Sequence, residues 1–484
     1  MSGSTPIHPS AGGPDPLAPL DPMSIDAAEF AHGPAEWNLG QVFPTSIVGL
    51  LPGPRLPSAD EVLQAFSNYI GEPIAILEEL APEDDSIAWN RVVSVPGLAA
   101  PLIVWGERAR AIGPDDLPDG RLGECRWVIG CESLLSERAP LDDYIALMRL
   151  LAGSFEEMPA VLDSMTRQWF VRQELEVLFL ADDPAATEEV LWRIHAVGRS
   201  EQIGPDEPVW IYTVGLWRCG KPELEILEVP GRHLSAAVTL LNGTAALAVI
   251  GPIPRPGGVG VIGENLRVAF RPWQEVVAYV SPSSVGSMSD RMASDEPGAM
   301  NPLMGVRAIL CDAEPRGTYR KIWAWPEKAI AQLEDDRGAI YLSERSTEQL
   351  GRRARETWPE FATAYAAAER ATLEAVRHGE PLVPPTFLVK APFSHPADPN
   401  RGREHLWFEV CRLAGDAVDA KLVNTPQIAT HLVEGSRVSI AREQVSDWRV
   451  LLPDGGFGPR TVAGLMPAID GFRTSIGCAP DPAS

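Results

Sequence analysis

Glu404 and His405 stand side by side at the start of an expected strand, and Asp447 lies near the start of another. An imidazole with two carboxylates is a set that can pass protons near neutral pH, provided the fold brings the three together. Trp407, Asn424 and Trp448 are their neighbours in sequence and the candidate binding residues. The simpler reading of the same residues is structural. Trp407 and Trp448 would fill a sheet core, Asp447 would cap a turn, and His405 would open a strand.

A second constellation runs from Thr213 to Glu225, with Gly215, Arg218, Gly220, Glu223 and Glu225 between two apolar runs. Glycines mark places where a backbone or a ligand approaches closely. One reading is a polar binding site at the strand ends, with Arg218 and Glu223 facing a ligand. The other is a tight bend with Glu223 and Glu225 pointing outward from their strand.

Gly258, Gly260 and Gly263 spell G-x-G-x-x-G, but Pro254 and Pro256 precede them and Pro272 follows soon. A dinucleotide site needs a strand before and a helix after, so the segment reads as a glycine-rich loop without a ligand. The sequence has no G-x-x-x-x-G-K-[ST], H-E-x-x-H, C-x-x-C or G-x-S-x-G. No cofactor and no metal are therefore expected, and the chain reads more readily as a non-enzyme.

The elements that must position these residues follow from apolar periodicity. Ser46–Leu51, Ile74–Leu77, Pro101–Trp105, Leu175–Leu180, Val209–Val214 and Leu224–Val229 read as strands. Ser58 followed by Glu61 forms a capping box for a helix carrying Val62, Leu63, Phe66 and Ile70. Leu141–Leu151 and Met158–Phe170 read as helices, as does a segment after Asp183 and Pro184. The resemblance of Pro184–Leu191 to Pro57–Leu63 leaves two readings open, a repeated strand–helix–strand unit or two ordinary helix starts. Ala236–Val249 reads as a helix handing over to a strand, and 346–377 as helix interrupted at Pro359. Near the C-terminus, Leu406–Leu413, Val418–Val423, Arg437–Ile440 and Val445–Leu452 are strands. Thr425, Pro426 and Gly435 bracket a short helix, and Asp454-Gly455 is a turn.

The expected architecture is α+β and multi-domain, with mixed or antiparallel sheets, flanking helices and a small curved C-terminal module with one short helix. Its segments are a Pro-rich disordered tail (1–36), an α+β region (37–280), a linker (281–304), a helix-rich stretch (305–384), the C-terminal module (385–470) and a tail (471–484).

The 484 residues carry a net charge of −25. That disfavours nucleic acid and anionic membrane surfaces as partners and suits a basic protein. Six scattered cysteines fit a reducing, cytoplasmic compartment, and no membrane-crossing stretch is expected.

Phe387–Phe393, Glu404-His405-Leu406-Trp407, Asn424-Thr425-Pro426, Leu432 with Gly435, and Ser446-Asp447-Trp448 together resemble the YegJ-like family, domain of unknown function 2314, over Pro385–Thr461. The remainder, with its Gly215–Glu225 stretch, resembles domain of unknown function 4026. These resemblances imply a bacterial-type protein and no established reaction, cofactor or catalytic residue. Two functions remain in view. One is an intracellular immunity-like or regulatory protein with an acidic surface, a basic toxin such as a nuclease being one such partner. The other is an enzyme, a hydrolase among the options, with its site in the C-terminal module or near Gly215.

Overall fold

The computed structural model describes residues 36–475 except 38, 40–42, 82–85, 110–124, 201, 265, 293–304, 315–323, 335–338, 341–343, 379–382, 398–402, 427 and 453–454. The expected N-terminal tail thus falls outside the described residues apart from Glu36, as does Asp454 of the expected Asp454-Gly455 turn. The fold is α+β, with three open sheets in two compact units, Met1–Tyr341 and Leu342–Ser484.

The first sheet contains β1 (Thr45–Leu51), β2 (Ala75–Leu80), β3 (Ile87–Ser94), β4 (Leu102–Arg108), β5 (Trp127–Ser133), β6 (Ala160–Asp163) and β7 (Gln168–Val171). Their spatial order is β2-β3-β4-β5-β1-β6-β7, antiparallel throughout. Helices α1 (Ala59–Ile70) and α2 (Pro140–Gly153) supply the apolar residues that cover it, with Phe66, Tyr144, Met148 and Leu151 fully buried. The α1 cap forms as the sequence predicts. The Glu61 N–H donates to Ser58 Oγ at 3.3 Å, and the Ser58 N–H donates to Glu61 Oε2 at 2.8 Å. Ser58→Ala removes one acceptor from the first turn and should cost about 1 kcal/mol. Urea denaturation should read this as a lower midpoint at unchanged slope.

Two expectations fail in the next stretch. Met158–Phe170, expected as a helix, is the hairpin of β6 and β7. Leu175–Leu180, expected as a strand, is helical, as α3 (Arg172–Leu175) continued by a π turn over Glu176–Leu180. A short apolar run does not by itself separate strand from helix. Here tertiary hydrogen bonds decide: Arg149 Nε donates to the Phe179 carbonyl at 2.5 Å and Arg172 Nη1 to that of Ala152 at 3.0 Å. The helix expected after Pro184 is only a 3-10 turn, Glu188–Leu191, so this stretch is no second strand–helix–strand unit.

The second sheet contains β8 (Arg193–Val197), β9 (Pro208–Val214), β10 (Glu223–Pro230), β11 (Val259–Glu264), β12 (Leu266–Pro272), β13 (Arg307–Asp312) and the short β14 (Ala339–Ile340). The order is β14-β11-β12-β13-β10-β9-β8, and only β10 and β13 run parallel. The G-x-G-x-x-G segment is therefore no loop. It forms β11, paired antiparallel with β12, and a Cβ on Gly260 would fall 2.8 Å from the Phe270 ring. α4 (Leu234–Ile250) is one unbroken helix rather than a helix that becomes a strand. Gly231–Ile250 is long and apolar enough to cross a membrane, with a mean hydropathy of 1.5. In the structure it packs on β9 and β10, with Leu240, Leu241 and Ala245 wholly buried. Helices α5 (Trp273–Val277), α6 (Met288–Met292) and α7 (Glu327–Glu334) complete this unit. The stretch expected as a linker, 281–304, contributes α6 and buries Arg291; its residues 293–304 fall outside those described.

The second unit opens with α8 (Glu344–Glu356) and α9 (Trp358–His378). The helical stretch is interrupted beside Pro359, as expected: α8 ends at Glu356, and Pro359 occupies the first turn of α9, where its missing N–H costs nothing. The six strands β15 (Thr386–Phe393), β16 (Glu404–Ala414), β17 (Ala417–Leu422), β18 (Arg437–Ala441), β19 (Asp447–Leu452) and β20 (Gly455–Phe457) form an antiparallel sheet ordered β18-β17-β16-β15-β19-β20. The described residues of 425–435 form bends and turns rather than the expected helix, and Glu404 Oε2 accepts from the Ile428 and Ala429 N–H groups at 2.8 and 3.1 Å. The helix of this module follows β20 instead. It is α10 (Leu465–Ser475), which extends into the expected tail and packs against α9.

Candidate functional site

The Gly215 constellation is interior. Arg218 and Glu225 have no exposed surface and Glu223 has 1%. The carboxylates expected to point outward point inward, because their partners lie inside. Glu223 accepts from the Thr213 hydroxyl at 2.6 Å and the Gly215 N–H at 2.7 Å. Arg218 does not face Glu223. Its Nη2 donates to the Leu191 carbonyl at 2.6 Å, and Nη1 sits 2.7 Å from Asp163 Oδ2 as an ion pair without hydrogen-bond alignment. Tyr144 donates its hydroxyl proton to the same Asp163 oxygen at 2.9 Å.

Glu225 holds two buried arginines. Arg291 Nη1 donates to it at 3.0 Å, Arg291 Nη2 and Arg307 Nε also donate, and Trp210 Nε1 donates at 3.0 Å. The Arg291 guanidinium lies 4.9 Å from the Trp210 ring centroid and 5.0 Å from that of Trp273. Burial raises the Glu225 pKa, but the two arginine charges outweigh it and leave the carboxyl below its usual value. These groups are tied into the core by hydrogen bonds and ion pairs among themselves and with the backbone.

In the C-terminal sheet, strand alternation divides the candidates. Phe387, Val389, Ala391, Leu406, Phe408, Trp448 and Val450 are buried against α9 and α10, so Trp448 is a core residue. The opposite face presents Trp407, Lys390 and Asp447 as one cross-strand row, with Pro392 and His405 on one side and Glu409, Leu388 and Arg449 on the other. His405, Trp407 and Asp447 thus share a face, as an acid–base set would require. Their polar atoms are otherwise engaged, however. His405 Nδ1 lies 2.7 Å from the hydroxyl of Ser446, a residue only 8% exposed. Asp447 Oδ1 accepts from the Trp448 N–H at 2.8 Å, and Asn424 Oδ1 accepts from the Trp407 N–H at 3.0 Å. Glu404 serves the turn at Ile428.

Residues 194–301 match the family described as protein of unknown function (DUF4026) C-terminal, and residues 346–469 match DUF2314, uncharacterized protein conserved in bacteria. The chain carries both regions. No curated protein and no solved structure matches it. The DUF2314 region is wider than the expected Pro385–Thr461, since it takes in most of α8 and all of α9, which bury the sheet's inner face. The DUF4026 region contains Glu225, Arg291, Trp210 and Trp273 of the buried cluster.

Lys390 and Arg449 of the DUF2314 face escaped the sequence reading. The signal was present, because the alternation from Phe387 to Phe393 puts Lys390 opposite Val389. Nothing local announced Arg291 or Arg307, which reach Glu225 across 66 and 82 residues. Among the described residues no group of three or more His, Cys, Asp or Glu gathers as metal ligands would. Burial pushes the thiols of Cys219 and Cys311 up to about 12, which makes them poor nucleophiles.

The charge is divided unevenly. Residues 1–341 hold 25 Lys and Arg against 48 Asp and Glu, a net −23, while residues 342–484 hold 16 against 18, a net −2. Strand β2 lies at the edge of the first sheet within the acidic part. Five of its six residues are exposed, including Ile76 at 48% and Leu77 at 56%, and Glu78 and Glu79 follow directly.

Proposed function

We propose that this chain is a protein-interaction protein, immunity-like or regulatory, that captures a basic protein partner in the cytoplasm. The β2 edge carries the reading. An edge strand offers unpaired backbone groups to an incoming strand, and exposed Ile76 and Leu77 add apolar area to bury. Glu78 and Glu79 repel a second copy of the same edge and attract a strand bearing lysine or arginine. The net −23 of residues 1–341 would steer that partner inward from a distance. Nucleic acid and anionic membranes fit this charge poorly. The enzyme reading gains no such support, since Glu223, Arg218 and Glu404 are all spent on structural hydrogen bonds.

The test is fluorescence anisotropy with a labelled peptide of alternating lysine and valine. The whole chain should bind it. Reversing Glu78 and Glu79 together to lysine should weaken binding at least about tenfold, a loss of about 1.4 kcal/mol. Glu360→Lys, in the other unit, should leave it unchanged, and raising the salt should weaken it. A peptide of alternating glutamate and valine should not bind. Equal binding by the wild type and the doubly reversed variant, or none by either, would sink the reading.

A further inference from the structure

We propose that the outer face of the DUF2314 sheet is a binding site for an oxyanion, a phosphate group, held by Lys390 beside Trp407. The central alternate residues of β15, β16 and β19 are buried against the helices, whereas Leu388, Lys390, Trp407, Asp447 and Arg449 on the other face stay half-buried or exposed. Lys390 stands between Trp407 and Asp447 in the cross-strand row, with its ammonium 5.4 Å from the Trp407 ring centroid. The Arg449 guanidinium lies 5.4 Å from the same centroid. The Lys390 ammonium makes no hydrogen bond to a described residue, and its three donors are left for something else.

The surrounding charges are of both signs. Burial depresses the Lys390 pKa, the Asp447 carboxylate opposes it, and the Arg449 charge adds a smaller depression. Burial followed by the charges of Lys390 and Arg403 depresses that of His405. Arg449 thus lies within electrostatic reach of Lys390, and Lys390 and Arg403 within reach of His405. Three carboxylates belong to the neighbourhood. Glu404 caps the turn at Ile428, Glu409 stands opposite Lys421 in the strand register, and Asp447 accepts from the Trp448 N–H. Lys390 and Arg449 thus bring two cations to one indole in a chain whose net charge is −25. Lysine is a point-charge partner for phosphate, and an indole beside it suits a planar group carrying that phosphate.

Calorimetric titration of the whole chain tests this with three probes: inorganic phosphate, phenyl phosphate and phenol. Saturable binding of either phosphate compound is expected, and phenol should give none. Lys390→Gln should weaken binding at least about tenfold, while Lys390→Arg, which keeps the charge, should retain most of it. Arg377→Gln, at the end of α9, should change nothing. Inorganic phosphate binding as well as phenyl phosphate would make the ligand a free ion, and a preference for phenyl phosphate would make it a phosphate ester; either supports the site. No saturable heat up to about 10 mM, a concentration beyond any useful affinity, overturns it. So does undiminished binding by Lys390→Gln, or phenol binding as well as phenyl phosphate does. These outcomes are independent of the β2 edge, which lies in the other unit.

Discussion

Glu225→Gln should leave little folded protein. The substitution keeps the shape of the side chain and removes the counter-charge of two arginines, Arg291 and Arg307, whose exposures are 0% and 1%. Breaking a buried ion pair from one side costs about 3–5 kcal/mol, because the remaining charge is neither paired nor hydrated. Here two cations are stranded together, so the upper end of that range is expected, against a total stability of only about 5–15 kcal/mol. Chemical denaturation followed by tryptophan fluorescence is the measurement, since Trp210 and Trp273 line the cluster. Glu78→Gln on the exposed β2 edge is the control and should shift stability by no more than about 0.5 kcal/mol. Replacing Glu225, Arg291 and Arg307 together by apolar residues should recover most of the loss, since no buried charge is left. A Glu225→Gln protein as stable as the wild type would mean that the cluster does not form.

The same cluster sets a sign for pH dependence. The Glu225 carboxyl is held below its unfolded value, so the folded state binds its proton less readily than the unfolded chain does. The stabilisation is therefore complete above the unfolded carboxylate pKa, and it is lost as pH falls through the lower folded value. Acid titration of the wild type should show this loss at the acid end.

Local chemistry was legible, and long-range pairing was not. The Ser58–Glu61 box needs only two residues three apart, and it forms as read. The strands from Leu406 to Leu452 carry alternating apolar residues, and the structure pairs them into one sheet. Trp407, expected in the sheet core with Trp448, lies instead with His405 on the face opposite Leu406 and Phe408, as strand alternation requires. Alternation alone could not say that the indole of Trp448 would be buried under Phe361, 5.2 Å between ring centroids, while Trp407 remained on the outer face. Glu223 and Glu225 were misread because glutamate on a strand ordinarily faces water. Glu223 is held inward by Thr213 and the Gly215 N–H close by in sequence, whereas Glu225 is tolerable inside through the arginines arriving from α6 and β13, and no sequence period connects residues that far apart. The hairpin at Ala160–Val171 failed for a related reason, since its burial is decided by β1 alongside it.

Gly215→Ala should be the most damaging small substitution in the DUF4026 region. The place of Gly215 between two strands marks a close approach, by a backbone or by a ligand, and the structure assigns the approach to backbone. Gly215 has φ +129°, and a Cβ there would lie 2.3 Å from the Leu191 carbonyl oxygen and 2.9 Å from Trp192 Cα. That carbonyl cannot retreat without loss, because Arg218 Nε and Nη2 both donate to it, at 3.0 and 2.6 Å. Nor can Gly215 turn away freely, because its N–H donates to Glu223. An unfavourable φ costs about 1–3 kcal/mol and overpacking in a rigid core a further 1–3, so a loss of about 3 kcal/mol or more is expected. Gly53→Ala is the matched control. Gly53 has a similar φ of +124° but nothing within 4 Å of its Cβ position, so it reports the backbone strain alone. The difference between the two midpoints in one denaturant series isolates the steric part. If the two variants lose equal stability, the Leu191 carbonyl is not held where Arg218 fixes it, and the interior role assigned to that arginine fails with it.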